Sequence, residues 1–372
     1  MGETLVDWIA LSLVPGLGVS SYWRLLDRLE TPQRVFGAPR DELQRIAGVR
    51  DCHLAGLFSG VDYHQQARAE LHRLTSIGGF ALVFSDDDYP PLLRRLPDPP
   101  PVLFGMGRRD LLKAVAVAVV GSRAATGYGR KVAFTLGEQL AAAGFTVVSG
   151  LALGIDAQAH AGALHGGGAT AAVLGCGIDI VYPRLNRPLF DKIRDNGVLL
   201  SEYPLGTQPE GFRFPARNRI IAGMSGGVVV VEAAKRSGSL ITAQIALDCG
   251  REVFAVPGHI DSCKSEGAHW LLKQGAKLVQ GVSDIVEEMG GAVKVGASRR
   301  ETTTHHAEPE LEPDAARLLS LIDTYPQARE TLLATSTLAP ARLNQLLLVL
   351  ELDGHVEVLA GDRVRKRAAD GH

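Results

Sequence analysis

Three short stretches hold the side chains best suited to grip an anion. Gly121-Ser122-Arg123 ends an apolar β-branched run, VAVAVV, and precedes a helical pattern from Val132 to Ala143. A glycine there lets backbone N–H groups approach a phosphate, the serine hydroxyl can donate to it, and the arginine adds a planar donor fork. The second stretch, EGFRFPARNRIIAG, places Arg213, Arg217 and Arg219 within seven residues, with Asn218 among them and Phe212 and Phe214 interleaved. Guanidinium forks for phosphates and aromatic faces for bases are the two ingredients of single-strand nucleic-acid binding. Pro215 suits a first helical turn, so this group is expected near a helix N-terminus, where the dipole favours an anion. The third stretch, Lys235-Arg236-Ser237-Gly238-Ser239, adds basic and small residues before another helix. Its plain reading is an N-cap at Ser237 or Ser239. The plain reading of the arginines is ion pairing with acids such as Glu202 and Glu232.

Other chemistry is weakly marked. Asp156 and His160 lie four apart on an expected helix and so share a face; a structural hydrogen bond between carboxylate and imidazole is the expectation, because no third metal ligand accompanies them. Asp86-Asp87-Asp88 reads as a solvated turn, since adjacent acids in a loop do not converge on one ion. The four cysteines (Cys52, Cys176, Cys249 and Cys263) have no metal-site spacing and read as buried small residues in a reducing compartment. Neither a G-x-G-x-x-G nor a G-x-x-x-x-G-K-[ST] follows the first strand, so no nucleotide cofactor and no metal are expected.

The elements that must position these residues alternate. Candidate strands at 115–120, 146–148, 171–174, 198–200, 228–231 and 253–256 are separated by helical spacers, which predicts an α/β, Rossmann-like, doubly wound and mostly parallel sheet. In such a sheet the carboxyl ends of the strands form the binding edge, and GSR, SGLALGID, GCGID, SEYP, EAAKRSGS and PGHID all fall there. Residues 1–78 carry two helical hairpins with Gly turns, Pro15-Gly16-Leu17-Gly18 and Ala47-Gly48-Val49, as in a SAM or helix-hairpin-helix module. Residues 79–290 hold the sheet domain with an N-terminal extension, in which 80–84 is a short strand followed by the Pro-rich DPPPVLF. Residues 291–312 lose periodicity and read as a flexible linker. Residues 313–372 show three helical patterns and two short strand-like pieces, a winged helix whose third helix offers only Arg342 and Asn344 to a groove. The tail residues Arg363, Arg365, Lys366 and Arg367 suit a nucleic-acid backbone or a protein partner.

At 372 residues the chain accommodates two or three domains, and 42 glycines with Ala-rich helices imply close helix–sheet packing. A net charge of −2 means that any anion site arises from local clustering. No apolar run approaches the roughly 18 residues of a membrane span, and no leader pattern opens the chain, so a cytoplasmic location is expected.

With these stretches in view, the chain resembles the DNA-processing protein A (DprA, also called Smf) family. The resemblance is carried by VAVVGSRAATGYG (117–129), SGLALGIDAQAH (149–160), AVLGCGIDIVYPRLN (172–186), LSEYPLGTQPEGFRFPARNRIIAGMS (200–225), VVVVEAAKRSGSLITA (228–243) and GREVFAVPGHI (250–260). It implies a protein of natural transformation and competence that binds single-stranded DNA, protects it, and loads RecA recombinase onto it. It also implies a homodimer formed through the sheet domain. Carried over, the pocket uses Gly121, Ser122, Arg123, Phe214, Arg217 and their neighbours. The family often keeps a lysine just upstream of the Phe-Pro pair; here Gly211-Phe212-Arg213 has none, and Arg213 and Lys235 are added on charge alone. Double-stranded DNA would be met by the terminal modules.

Two rival functions follow from the same residues. Gly226-Gly227, an apolar strand and Glu232 resemble the lysine-decarboxylase-like nucleotide phosphoribohydrolases, with Arg217 and Glu232 as the reacting pair; yet Glu232 leads into Ala-Ala-Lys-Arg rather than a Gly-Thr loop. A transcription regulator would instead use the winged helix on a chosen duplex sequence.

Overall fold

The computed structural model describes residues 2–289, 312–323, 327–336, 338–353, 355–359 and 362–366. The expected linker therefore lies almost wholly outside the described residues, as does Arg367. The chain divides into two units, 1–297 and 298–372.

The first unit is built on a nine-stranded sheet. Its strands are β1 (Gly79–Val83), β2 (Val102–Gly107), β3 (Ala116–Val120), β4 (Thr146–Ser149), β5 (Thr170–Val173), β6 (Val198–Ser201), β7 (Gly227–Val230), β8 (Glu252–Ala255) and β9 (Lys277–Leu278). The spatial order is β1-β2-β6-β5-β4-β3-β7-β8-β9. Every pair from β6 to β9 is parallel, while β1 with β2 and β2 with β6 are antiparallel. The interior strands β3 to β7 are buried along their whole length, which is why they read as apolar runs without alternation. Strand β2 lies in the segment expected as a Pro-rich connection: its residues VLFGMG follow Pro99–Pro101 and pair with both β1 and β6.

Alternate residues of each strand feed two layers. Val117 and Val119 pack under helices Gly127–Ala142 and Ile155–His165, and Ala118 and Val120 pack toward helices Arg213–Met224 and Gly238–Asp248. The first two of these helices touch through glycine, because a Cβ on Gly137 would strike the Ala159 carbonyl and one on Gly162 that of Phe134. The close approach expected between helices and sheet is thus also found between these two helices. At the β5–β6 end, Ala172, Leu199 and Phe104 share one core with Ile9, Leu25 and Leu43 of the N-terminal helices. The chain enters β1 at Gly79, and the apolar core runs across that point.

Helices Gly2–Ser12 and Val19–Leu29 flank the Pro15–Gly18 turn, in which Gly16 has φ 77°. The second glycine turn has Gly48 at φ 84°, between Arg40–Gln44 and Asp51–Leu57. In the second unit, helices Pro313–Leu321, Arg329–Ser336 and Pro340–Leu352 combine with a small sheet to give the winged helix. Its strands are β10 (Gln327–Ala328), β11 (Val356–Leu359) and β12 (Arg363–Lys366), in the order β10-β12-β11. Arg342 of the third helix is engaged by Glu312 and Asp314, and Arg365 by Glu357.

Two expectations need correction. Cys52 and Cys263 are exposed rather than buried, the first on a short surface helix and the second in the loop after β8, and all four thiols are free. Asp156 and His160 do not bond to one another. The carboxylate accepts from the Gly150 and Ala152 amides at 3.1 and 3.4 Å, while His160 reaches Thr170 Oγ1 at 2.6 Å. The loop entering the helix offers unpaired N–H groups that capture the acid first. The acid triplet is a salt-bridged turn: Asp88 meets Arg109 at 3.0 Å and Lys113 at 2.5 Å. Among the described residues, no three potential ligands converge on a metal position and no helix is long and apolar enough to cross a membrane.

Candidate nucleic-acid interface

The strand order reverses at β3, since β4 to β6 lie to one side and β7 to β9 to the other. Open parallel sheets bind ligands in the crevice outside such a switch point. A cleft of about 660 Å³ opens there, between Gly121-Ser122-Arg123 after β3 and the loop of Arg236 to Ser239 after β7, floored by Arg217 and Asp156.

Helix Arg213–Met224 supplies the aromatic side. Its Phe214 ring stacks on Tyr182 at 5.4 Å with 27° between planes, and the exposed Arg123 guanidinium stands 5.3 Å from the same ring. Aromatic and guanidinium planes joined in this way form a surface on which a base can stack while its phosphate meets a cation. On the far side, Ser237 caps helix Gly238–Asp248, accepting from Ser239 N at 3.3 Å, and the two serine hydroxyls lie 2.7 Å apart. Asn218 reaches across to the Gly238 carbonyl at 3.4 Å. The start of an eleven-residue helix thus faces the cleft with hydroxyls and N–H groups, a favourable place for an anion.

Arg217 works from below. It is 4 % exposed, and its Nη1 donates to the carbonyls of Gly150 (2.7 Å) and Val173, tying the ends of β4 and β5 together. A side chain on Gly150 would overlap this guanidinium. Burial pushes the Arg217 guanidinium down from its ordinary value and Asp156 opposes that; the same burial raises the Asp156 carboxyl, against the pull of Arg217. The pair gives the floor a fixed field rather than a free hand for a ligand.

Of the residues singled out from sequence, Gly121, Ser122, Arg123, Phe214, Arg217, Asn218, Ser237, Gly238 and Ser239 come together here. Three stand apart. Arg219 turns to the other side of its helix, where Glu202 holds it, with Asp98 at 3.8 Å. Arg213 lies between the Tyr203 and Phe212 rings, 4.8 and 5.0 Å away, with Glu210 at 3.5 Å. Lys235 is exposed outside the cleft, and its neighbour Arg236 lines it instead. Tyr182 was not singled out; its Tyr-Pro dipeptide after the GCGID turn marks a loop but not the stack on Phe214. Glu232 is buried beside the cleft wall, accepting from Thr126 N at 3.0 Å and from the Thr126 hydroxyl.

The sequence matches the family model of DNA recombination-mediator protein A over residues 80–290 and that of the DprA winged helix domain over 302–362. Protein Smf of Synechocystis is 33 % identical, over 97 % of this chain and 98 % of that protein. DNA processing protein DprA of Streptococcus pneumoniae is 50 % identical over 55 % of this chain and 72 % of its own length. The solved structure of DNA processing protein A from S. pneumoniae superposes with a TM-score of 0.68 at 40 % identity, covering 76 % of this chain and 97 % of that one. The protein of the same name from Helicobacter pylori, described for its single-stranded DNA binding mode, gives a TM-score of 0.52 at 31 % identity, over 57 % of this chain and 95 % of its own.

Proposed function

Since this chain belongs to the DNA recombination-mediator protein A (DprA/Smf) family, we propose that it grips single-stranded DNA in the switch-point cleft, shields it, and loads RecA recombinase onto it in transformation and recombination. The observation that carries the proposal is the joined Arg123, Phe214 and Tyr182 surface opposite the Ser237–Ser239 helix start. One wall stacks bases, the other meets phosphates, and neither reads base edges, so binding is sequence-tolerant and salt-sensitive. The H. pylori relative's named binding mode supports the choice of strand. Two copies joined through the sheet domain, in the cytoplasm, would offer two such clefts to one strand.

The proposed role is binding rather than catalysis. In the phosphoribohydrolase reading Glu232 must attack or activate, yet both its carboxylate oxygens are held by Thr126. Arg217, the other residue of that reading, spends its Nη1 on two backbone carbonyls. Strand exchange by RecA on strands coated with single-strand-binding protein tests the whole proposal. Addition of this protein should relieve the block, and Arg123→Ala should not. Free base released from nucleoside monophosphates, and lost in Glu232→Ala, would overturn it in favour of the enzyme.

A further inference from the structure

A second hollow, of about 770 Å³, lies on the same edge of the sheet beyond β6. Its walls are the Ser12–Val19 turn of the N-terminal helices on one side and Tyr203, Phe212 and Arg213 on the other. Strands β3 and β6 are separated by two others, so the strand ends that border the two hollows stand roughly 14 Å apart at the usual strand spacing. Gly211 and Phe214 line the first and Phe212 and Arg213 the second, so one four-residue segment forms the sill between them.

That sill has the composition of a strand-binding surface. Phe212 is 68 % exposed, more than any other aromatic side chain among the described residues, and Arg213 is sandwiched between Phe212 and Tyr203. The one acid lining the hollow, Glu202, is neutralised by Arg219, and the Arg213 cation that lines it is met only at its rim by the half-exposed Glu210, at 3.5 Å. Across from it, helix Val19–Leu29 starts at Gly18 with no side chain closing its first turn.

We propose that the strand held in the switch-point cleft runs on over Phe212 and Arg213 into this second hollow, where the Pro15–Gly18 turn closes over it. The inference rests on the cleft being the single-strand site. It gives the N-terminal helical module a direct part in binding: a base stacks on Phe212, Arg213 meets the next phosphate, and the open first turn after Gly18 receives another. Strand length, and not sequence, would then decide how much of the surface is used.

The test uses the full chain and two oligothymidylates at matched salt, one short enough to fill the cleft alone and one long enough to span both hollows. Two substitutions address the second hollow without touching the first. Phe212→Ala removes an exposed ring. Gly18→Asp fits the existing backbone, φ −74° and ψ 165°, with nothing near its Cβ; it caps the helix and therefore leaves thermal stability at or above wild type, while placing an anion where the phosphate would sit. Wild type should bind the long strand more tightly than the short one. Phe212→Ala should weaken the long strand by about 5- to 100-fold and Gly18→Asp by several-fold, with the short strand unaffected by either. Equal binding of the long strand by wild type and both variants, with Arg123→Ala still weakening both strands, would overturn this inference and leave the cleft standing. If Arg123→Ala binds both strands as wild type does, the cleft reading fails and this one with it.

Discussion

The Arg123 guanidinium stands 5.3 Å from the centre of the Phe214 ring, which itself stacks on Tyr182. An exposed arginine held over a ring is pre-set in direction without being spent on a carboxylate, so it can meet a phosphate at little entropic cost. Arg123→Ala should weaken single-strand binding at least about tenfold and flatten the dependence of log K on log salt by about 0.7, the share of one phosphate on a single strand. Arg123→Lys should keep most of the salt slope and lose affinity, since an ammonium has no planar fork. Fluorescence anisotropy across a salt series reads both quantities.

Stacking and charge can be separated by the same measurement. Phe214→Ala, or Tyr182→Ala, removes one side of the aromatic pair and should cost about 1–3 kcal/mol of binding free energy. The salt slope should stay where it is in Tyr182→Ala, because no cation has been removed. Phe214→Trp should bind as well as wild type or better. A slope that falls with the ring would mean that Phe214 acts only by holding Arg123 in place.

Arg219 belongs to stability. It is joined to Glu202, whose side chain is 9 % exposed, and burial raises the carboxyl above its ordinary value against the opposing pull of Arg219. Removing one partner of a buried pair strands the other, at a cost of about 3–5 kcal/mol. Arg219→Ala should therefore lower the urea midpoint sharply while leaving single-strand affinity per folded molecule intact. Arg219→Met combined with Glu202→Gln should recover much of the loss. A drop in affinity with unchanged stability would instead return Arg219 to the DNA surface.

The contrast between Arg123 and Arg219 marks what was legible in the chain. The sheet was, because strands buried on both faces leave unbroken β-branched runs, and the cleft was, because the GSR and RSGS loops both follow such runs. Which arginine of the Arg213, Arg217 and Arg219 group faces outward was not. A helix turns about 100° per residue, so Arg213 and Arg217, four apart, project within about 40° of one another while Arg219 points roughly 160° away from Arg217. The spacing separates them without saying which side is claimed, and the acid that claims one of them, Glu202, lies seventeen positions away on another element. Strand β2 was hidden for a related reason: behind three prolines, its pairing with β1 and β6 is fixed only by long-range register. The Tyr182 stack on Phe214 likewise joins positions more than thirty residues apart.

His160 provides a test of the core beneath the cleft through pH. The Thr170 hydroxyl has one proton and donates it to the Val147 carbonyl at 2.8 Å, so it must accept from His160, which fixes the proton on Nδ1 and leaves Nε2 bare. Protonating Nε2 would place a charge in a fully buried site facing Arg217, and burial with that neighbour pushes the imidazole down to about 3 from its ordinary 6.5. The unfolded chain thus takes up a proton that the folded one refuses. The contribution of this group is fully present above pH 6.5 and is lost as pH falls from 6.5 toward 3, at up to about 1.4 kcal/mol per pH unit. Asp156, raised by the same burial, runs the opposite way, so the comparison is made between wild type and His160→Gln, where its effect cancels. Urea unfolding at pH 7 and pH 5 should show wild type losing about 2 kcal/mol more than the variant. An equal loss in the two proteins would mean that the imidazole is protonated in the fold, and the assignment of Nε2 as a bare acceptor would be wrong.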